Sequence, residues 1–299
     1  MNPERRLTSG YLLALAAFTW WGLFPFYFKA VAAASPVEVL AHRVVWSVPV
    51  CALILTVLGG WSGLARAMAR PKVLGTLGLT AAIIGTNWLI FIYAVLTDRL
   101  LAASLGYFIT PLVNLAMGMI FLGERPGRWQ LVAMVLAGLG TLNLVVSLGN
   151  LPWISLSLAL SLACYGLLRK TVQGVEAVGG LLVETSLLTP LALAWFFWAE
   201  RQGSLAFGHQ GLWLDLLLLS AGWISSLPLI WFTAGARRIP FYGLGLCQYV
   251  SPSLQFLLAV ALYHEPFTRT HLITFSLVWA GLALSLLAGS PWFRRRSAL

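Results

Sequence analysis

The segment TPLVNLAMGMIFLGE at 110–124 has a partner, SPSLQFLLAVALYHE, at 251–265. Pro111, Glu124, Leu131 and Gly140 recur 141 residues later as Pro252, Glu265, Leu272 and Gly281, and no gap is needed to align them. The same offset carries Pro49 onto Pro190 and sets Thr110 beside Ser251 and Asn114 beside Gln255. Four identities in one register, with spacers of twelve, six and eight residues, exceed coincidence. The chain therefore divides into two five-helix repeats, 1–149 and 150–299. An odd number of crossings per repeat turns the second copy upside down. Two inverted, nearly equivalent halves offer two nearly equivalent states open to opposite sides, the architecture of many secondary transporters.

Composition defines the solvent. Of 299 residues, 60% are hydrophobic and 9% charged, where a soluble domain carries about 25% charged residues. Apolar runs recur at 11–28, 38–58, 73–96, 101–122, 130–148, 152–168, 178–199, 212–234, 241–262 and 272–289. Most approach the roughly 20 residues that cross a hydrocarbon core of about 30 Å. Sheet alternation is absent and the runs are Leu, Ala and Val with interspersed Gly, so they read as helices and not barrel strands. The expected fold is an all-α polytopic membrane protein of ten transmembrane helices.

Basic residues give the orientation. With the N-terminus in the cytoplasm, Arg5, Arg6, Arg66, Arg70, Lys72, Arg125, Arg128, Arg169, Lys170, Arg237, Arg238, Arg294, Arg295 and Arg296 all fall on cytoplasmic segments. Only Lys29, Arg99, Arg201 and Arg269 fall outside, and Arg43 lies within a span. That bias follows the positive-inside rule. The net charge of +10 is thus a topology signal, and no nucleic-acid partner is expected. Arg5, Arg6 and the Ala32-Ala33-Ala34 run resemble a signal peptide, but the apolar run is long and nine spans follow, so the first helix is expected to remain.

The chemistry-bearing residues are sparse. Cys51, Cys164 and Cys247 lie within spans, too separate for a metal motif, and His42, His209, His264 and His271 are scattered. No HExxH, CxxC, Walker A or GxSxG pattern occurs. No cofactor, metal or catalytic residue is expected, and the short connections leave no room for an ATP-hydrolysing domain.

The stretches 21–29 (WGLFPFYFK), 42–47 (HRVVWS), 87–95 (NWLIFIYAV) and 104–114 (SLGYFITPLVN) resemble RarD-type permeases of the EamA family, in the drug/metabolite transporter superfamily. The resemblance extends over essentially the whole chain. It implies a ten-helix, five-plus-five permease of the bacterial inner membrane; the charge bias sets both termini in the cytoplasm, and small metabolites or drug-like molecules are the expected cargo. Export is the expected direction, since other branches of the superfamily export amino acids and other metabolites.

Two ionisable residues stand inside spans. Arg43 and Glu184 are related by the same offset and enter from opposite faces. A charge there costs about 2.5–3.5 kcal/mol on insertion scales unless it faces a cavity or a partner. Arg43 either lines the transport cavity or snorkels to headgroups and pairs with Glu38. Glu184, too short to snorkel, is the candidate for ion coupling, with a Ser/Thr-bonded structural carboxyl as the alternative. A pair between them, formed in one state only, would link protonation to conformation. Glu124 and Glu265 are expected to be structural, each closing a helical hairpin by accepting from the first amides of the following helix. Pro25, Pro49, Pro111, Pro190, Pro228 and Pro252 interrupt spans and are candidate hinges or static kinks.

Trp20, Trp46 and Trp88 lie deep, where an indole N–H wants a partner. With Arg43, Asn87, Tyr93, Tyr107, Asn114, Gln248, Tyr249 and Gln255 they form the candidate substrate cavity, aromatic and amide-rich, suited to amphipathic or aromatic small molecules. For any one aromatic residue, helix packing is an equal reading; a primary amide at mid-span needs several partners. The partners expected are a small-molecule substrate, membrane lipid and a proton or other coupling ion. A lipid flippase or scramblase would instead need a groove open sideways to lipid. A membrane-embedded enzyme would need ligands or nucleophiles clustered at one depth.

Overall fold

The computed structural model describes residues 3–123, 127–172, 174–236, 238 and 247–289, and among these no strand occurs. The helices are α1 (Pro3–Gly22), α2 (Phe24–Ala30), α3 (Pro36–Leu58), α4 (Trp61–Met68), α5 (Pro71–Leu96), α6 (Leu100–Leu122), α7 (Arg128–Leu148), α8 (Trp153–Thr171), α9 (Ala177–Arg201), α10 (Leu212–Leu219), α11 (Ala221–Ala236), α12 (Val250–Leu257) and α13 (Arg269–Gly289). A π-helical turn, Leu258–Leu262, continues α12. Among the described residues, six helical stretches are long and apolar enough to cross a bilayer: Leu7–Ala30, Pro36–Leu58, Pro71–Leu96, Leu100–Phe121, Ala177–Arg201 and Leu212–Phe232. Leu131–Ser147, Trp153–Arg169 and Val250–Leu262 are apolar and shorter.

Local chemistry sets the boundaries. Ser35 caps α3, its hydroxyl accepting from the Glu38 amide at 3.2 Å, and Pro36 opens the helix where no amide partner is required. Gly59 and Gly123 end α3 and α6 in the left-handed region, at φ of 67° and 64°. The first apolar run breaks at Leu23, and Pro25 sits in the first turn of the new helix α2. The run at 212–234 also breaks, but at Ser220 and not at Pro228, which α11 passes through. Helices α3, α6 and α9 likewise continue through Pro49, Pro111 and Pro190. The segment after α3 is not a plain loop: α4 is a short helix with Leu64 and Ala67 buried and Arg66 in its last turn.

Packing is mostly between the halves. α3 lies on α9 and α11, α5 on α8 and α9, α1 on α11 and α12, α6 on α8 and α12, and α7 on α13. Small residues permit close approach. A Cβ on Gly140 would stand 3.1 Å from the Thr274 carbonyl oxygen, and one on Gly281 would stand 2.8 Å from that of Ala133. Positions 133 and 274 are 141 residues apart, as are Gly140 and Gly281, so α7 and α13 present the same contact to each other. Gly222 is pressed on the backbone carbonyl of Trp46, which draws α11 onto α3. The largest core cluster gathers Phe28, Phe91, Leu105, Phe108, Leu158 and Phe275.

Candidate functional site

Arg43, on α3, is 4% exposed and stands between α2, α5 and α11. It does not snorkel and does not pair with Glu38. Its Nε donates to Ser225 Oγ of α11 at 3.0 Å. The guanidinium carbon lies 4.4 Å from the centroid of Trp88, 5.4 Å from Phe28 and 5.5 Å from Phe24, all within cation–π range. Tyr27 and Tyr107 stand close enough to act on it electrostatically.

Glu184, on α9, is fully buried. Thr80 of α5 donates to Oε1 at 2.6 Å and Tyr165 of α8 to Oε2 at 3.2 Å. Arg169 Nε, one helical turn after Tyr165, lies 3.8 Å from Oε1. The guanidinium of Arg169 rests against the backbone of Gly180, where any Cβ would displace it. Glu184 therefore takes its cation from α8, and Arg43, 141 residues earlier, is not its ion-pair partner in this structure. Sequence reading picked out Glu184 but not Thr80, Tyr165 or Arg169. The i, i+4 spacing of Tyr165 and Arg169 on one helix face was the available signal.

Two further carboxylates are buried at the end of the bundle where α3 and α6 begin. Glu38 accepts from the Ala206 amide at 3.0 and 3.1 Å and from that of Phe207 at 2.8 Å. Glu265 does not bond the helix that follows it, as its hairpin position suggested. Its Oε1 and Oε2 accept from the Leu100 and Leu101 amides at 2.6 and 2.8 Å. These are the first two amides of α6, orphaned by helix geometry and carrying the positive end of the helix dipole. A carboxylate on that site is favoured over one facing its own sequence neighbours. Glu124 lies outside the described residues.

The amides mostly hold helices together. Asn87 donates to the Leu158 carbonyl at 3.2 Å and to Ser161 Oγ at 2.8 Å, joining α5 to α8. Gln255 donates to Ser251 Oγ at 3.2 Å and to the Trp21 carbonyl at 3.4 Å, leaving its buried Oε1 without a partner among the described residues. Asn114 is exposed on α6 and Gln248 half-buried. Among the aromatics, Trp20 donates to the Ile224 carbonyl at 3.0 Å and Trp46 to His42 Nδ1 at 3.0 Å. Tyr93 packs on Trp153, Tyr107 on Phe91 and Tyr249 on Phe108. The structure thus brings Arg43, Trp88 and Tyr107 together, and sets Asn87, Tyr93 and Gln255 at helix contacts. Trp46 and Pro49 line a shallow groove with Val50, Leu53, Leu219 and Trp223, between α3 and the α10–α11 pair. Among the described residues no His, Cys, Asp or Glu group could hold a metal ion.

Apolar helices of membrane-crossing length, packed around buried ionisable side chains, define the class as a polytopic membrane protein. Residues 8–146 match the EamA-like transporter family. Protein RarD of Salmonella typhi is 44% identical over 280 residues, covering 94% of this chain and 95% of its own. Protein RarD of Escherichia coli K12 is 42% identical over 293 residues, covering 98% of this chain and 99% of its own. A Pseudomonas aeruginosa relative named chloramphenicol-sensitive protein RarD is 35% identical over 281 residues, 93% of each chain. One solved crystal structure, 19% identical, superposes with a TM-score of 0.56 over 93% of this chain and 98% of that one, a likeness of fold alone. The chain belongs to the EamA family of drug/metabolite transporters, among its RarD proteins.

Proposed function

We propose that the chain is a secondary transporter that exports small metabolites or drug-like molecules by alternating access between two inverted five-helix repeats. The observation that carries this reading is the packing pattern. Count the spans in order, with α1–α2 as the first, α4 outside the count and α13 as the tenth. Span one lies on span eight as span six lies on span three, and span four on span six as span nine on span one. Spans two and seven, four and nine, and five and ten are self-paired. Every one of these contacts survives exchange of the halves, so the same contacts can be redistributed to open either face. In the expected topology the Glu38 and Glu265 contacts lie on the periplasmic side, and the conformation is closed outward.

Coupling is proposed at Glu184. A proton on its carboxyl weakens the hold on Arg169 while Thr80 and Tyr165 remain hydrogen-bonded. This biases α8 against α9, and only a state-dependent difference of this kind can link a proton to transport. Reporter fusions test the topology: fusions after Gly149 and Gln202 are expected to read periplasmic, and one after Gln173 cytoplasmic. A cytoplasmic signal at Gly149 would break the inverted scheme. Comparing metabolites in cells with and without the protein identifies the solute. Proteoliposomes without ATP are then expected to move it down an imposed gradient, and a strict ATP requirement by the purified chain refutes the secondary mechanism.

A further inference from the structure

We infer that Arg43 is the docking point for a single negative charge on the transported molecule, so that the substrate class is small organic monoanions, carboxylates above all, with an aromatic or apolar body. The inference deepens the permease reading and rests on it.

Glu38 is held by the Ala206 and Phe207 amides, Glu265 by those of Leu100 and Leu101, and Glu184 by Arg169, Thr80 and Tyr165. Each buried carboxylate thus has its compensation inside the fold. Arg43 has none: among the described residues no carboxylate forms an ion pair with it. Its only hydrogen bond there is from Nε to a neutral hydroxyl, Ser225. A guanidinium stays charged even when buried, and an unpaired ion in a low-dielectric interior is strongly disfavoured. The faces of Trp88, Phe28 and Phe24 offset only part of that cost.

The same geometry leaves the guanidinium's two terminal nitrogens without a hydrogen bond among the described residues. Those nitrogens are the fork that grips a carboxylate with two parallel bonds. The charge is single because, among the described residues, the contacts of Arg43 include no second cation, while Lys29 is paired with Asp98 and Arg169 with Glu184. The rings that flank the fork, with Tyr27 and Tyr107 beside them, suit an apolar or aromatic body on the anion and not a second polar head.

The test melts purified protein in nanodiscs, for wild type, Arg43→Lys and Arg43→Met. Each is measured alone and with benzoate, phenylacetate and indole-3-acetate, and with the corresponding neutral amides. Without additive, Arg43→Met is expected to melt roughly 2–4 °C above wild type, because an uncompensated charge has been removed. At least one acid is expected to raise the wild-type melting temperature more than its amide does. That margin vanishes in Arg43→Met and persists, with about tenfold weaker concentration dependence, in Arg43→Lys. Arg43→Met melting below wild type, amides matching their acids in wild type, or an acid margin that survives in Arg43→Met each overturns the inference. These readouts measure binding, so they separate from the permease reading, which the ATP-free transport assay decides.

Discussion

Glu184→Gln is expected to insert and fold normally yet to transport at a rate that no longer changes with pH. Glutamine keeps the shape of the side chain: its Oε1 can still accept from one of the two hydroxyls, Thr80 or Tyr165, whose bonds measure 2.6 and 3.2 Å in the wild type, and its amide group can donate to the other. What it cannot do is change charge. In the wild type a carboxylate faces the Arg169 guanidinium across 3.8 Å, and a proton on Glu184 removes that attraction. A buried pair interacts through a low dielectric, so its loss weighs far more than that of a surface pair. The variant holds one charge state throughout, and the link between proton and conformation is cut. The measurement is uptake of the identified solute into proteoliposomes from pH 5 to 8. Gly180→Ala is the companion variant: its Cβ pushes the Arg169 guanidinium away from its present place and is expected to blunt the pH dependence without touching the carboxyl. Wild-type rates and wild-type pH dependence in Glu184→Gln would make the residue a structural carboxyl and end the coupling proposal.

The parts of this molecule that sequence reveals are those governed by short-range rules. Hydropathy and run length mark the spans because lipid demands about 20 apolar residues for each crossing. Leu7–Ala30, Pro36–Leu58 and Pro71–Leu96 stand where the runs fall. Pro25 signals the break after α1 through its missing amide. Ser220 signals nothing by itself: the break there accompanies a tertiary contact two residues on, where Gly222 meets the Trp46 carbonyl. Arg43 and Glu184 were legible as buried charges because such charges are rare in spans. Their neighbours were not, because Ser225 lies 182 residues from Arg43 and Thr80 lies 104 residues from Glu184. Asn87 shows the same limit: its need for partners was legible, and their identity on α8 was not. Glu265 is the sharpest case, because its local context pointed to the adjacent helix while the unmet amides were on α6.

Glu265→Ala is expected to loosen the end of the bundle that it now ties. The Leu100 and Leu101 amides lose both acceptors, and a buried donor left without a partner costs about 1–3 kcal/mol. Neither amide has another acceptor within its own helix, because they begin it. A loss of about 2–3 kcal/mol shifts the balance between closed and open arrangements of that face by roughly 30- to 150-fold. Access reports the shift. A cysteine at Ala103, fully buried on α6, in a background lacking Cys51, Cys164 and Cys247, is expected to react slowly with a membrane-impermeant maleimide added outside the cell. Glu265→Ala raises that rate by about one to two orders of magnitude. Glu265→Gln keeps one carbonyl acceptor and falls between. The alternative, that Glu265 only shapes its own turn, predicts lower expression with unchanged labelling per folded molecule. The two accounts separate on that ratio, because a turn defect alters how much protein folds and a lost clamp alters what the folded protein exposes.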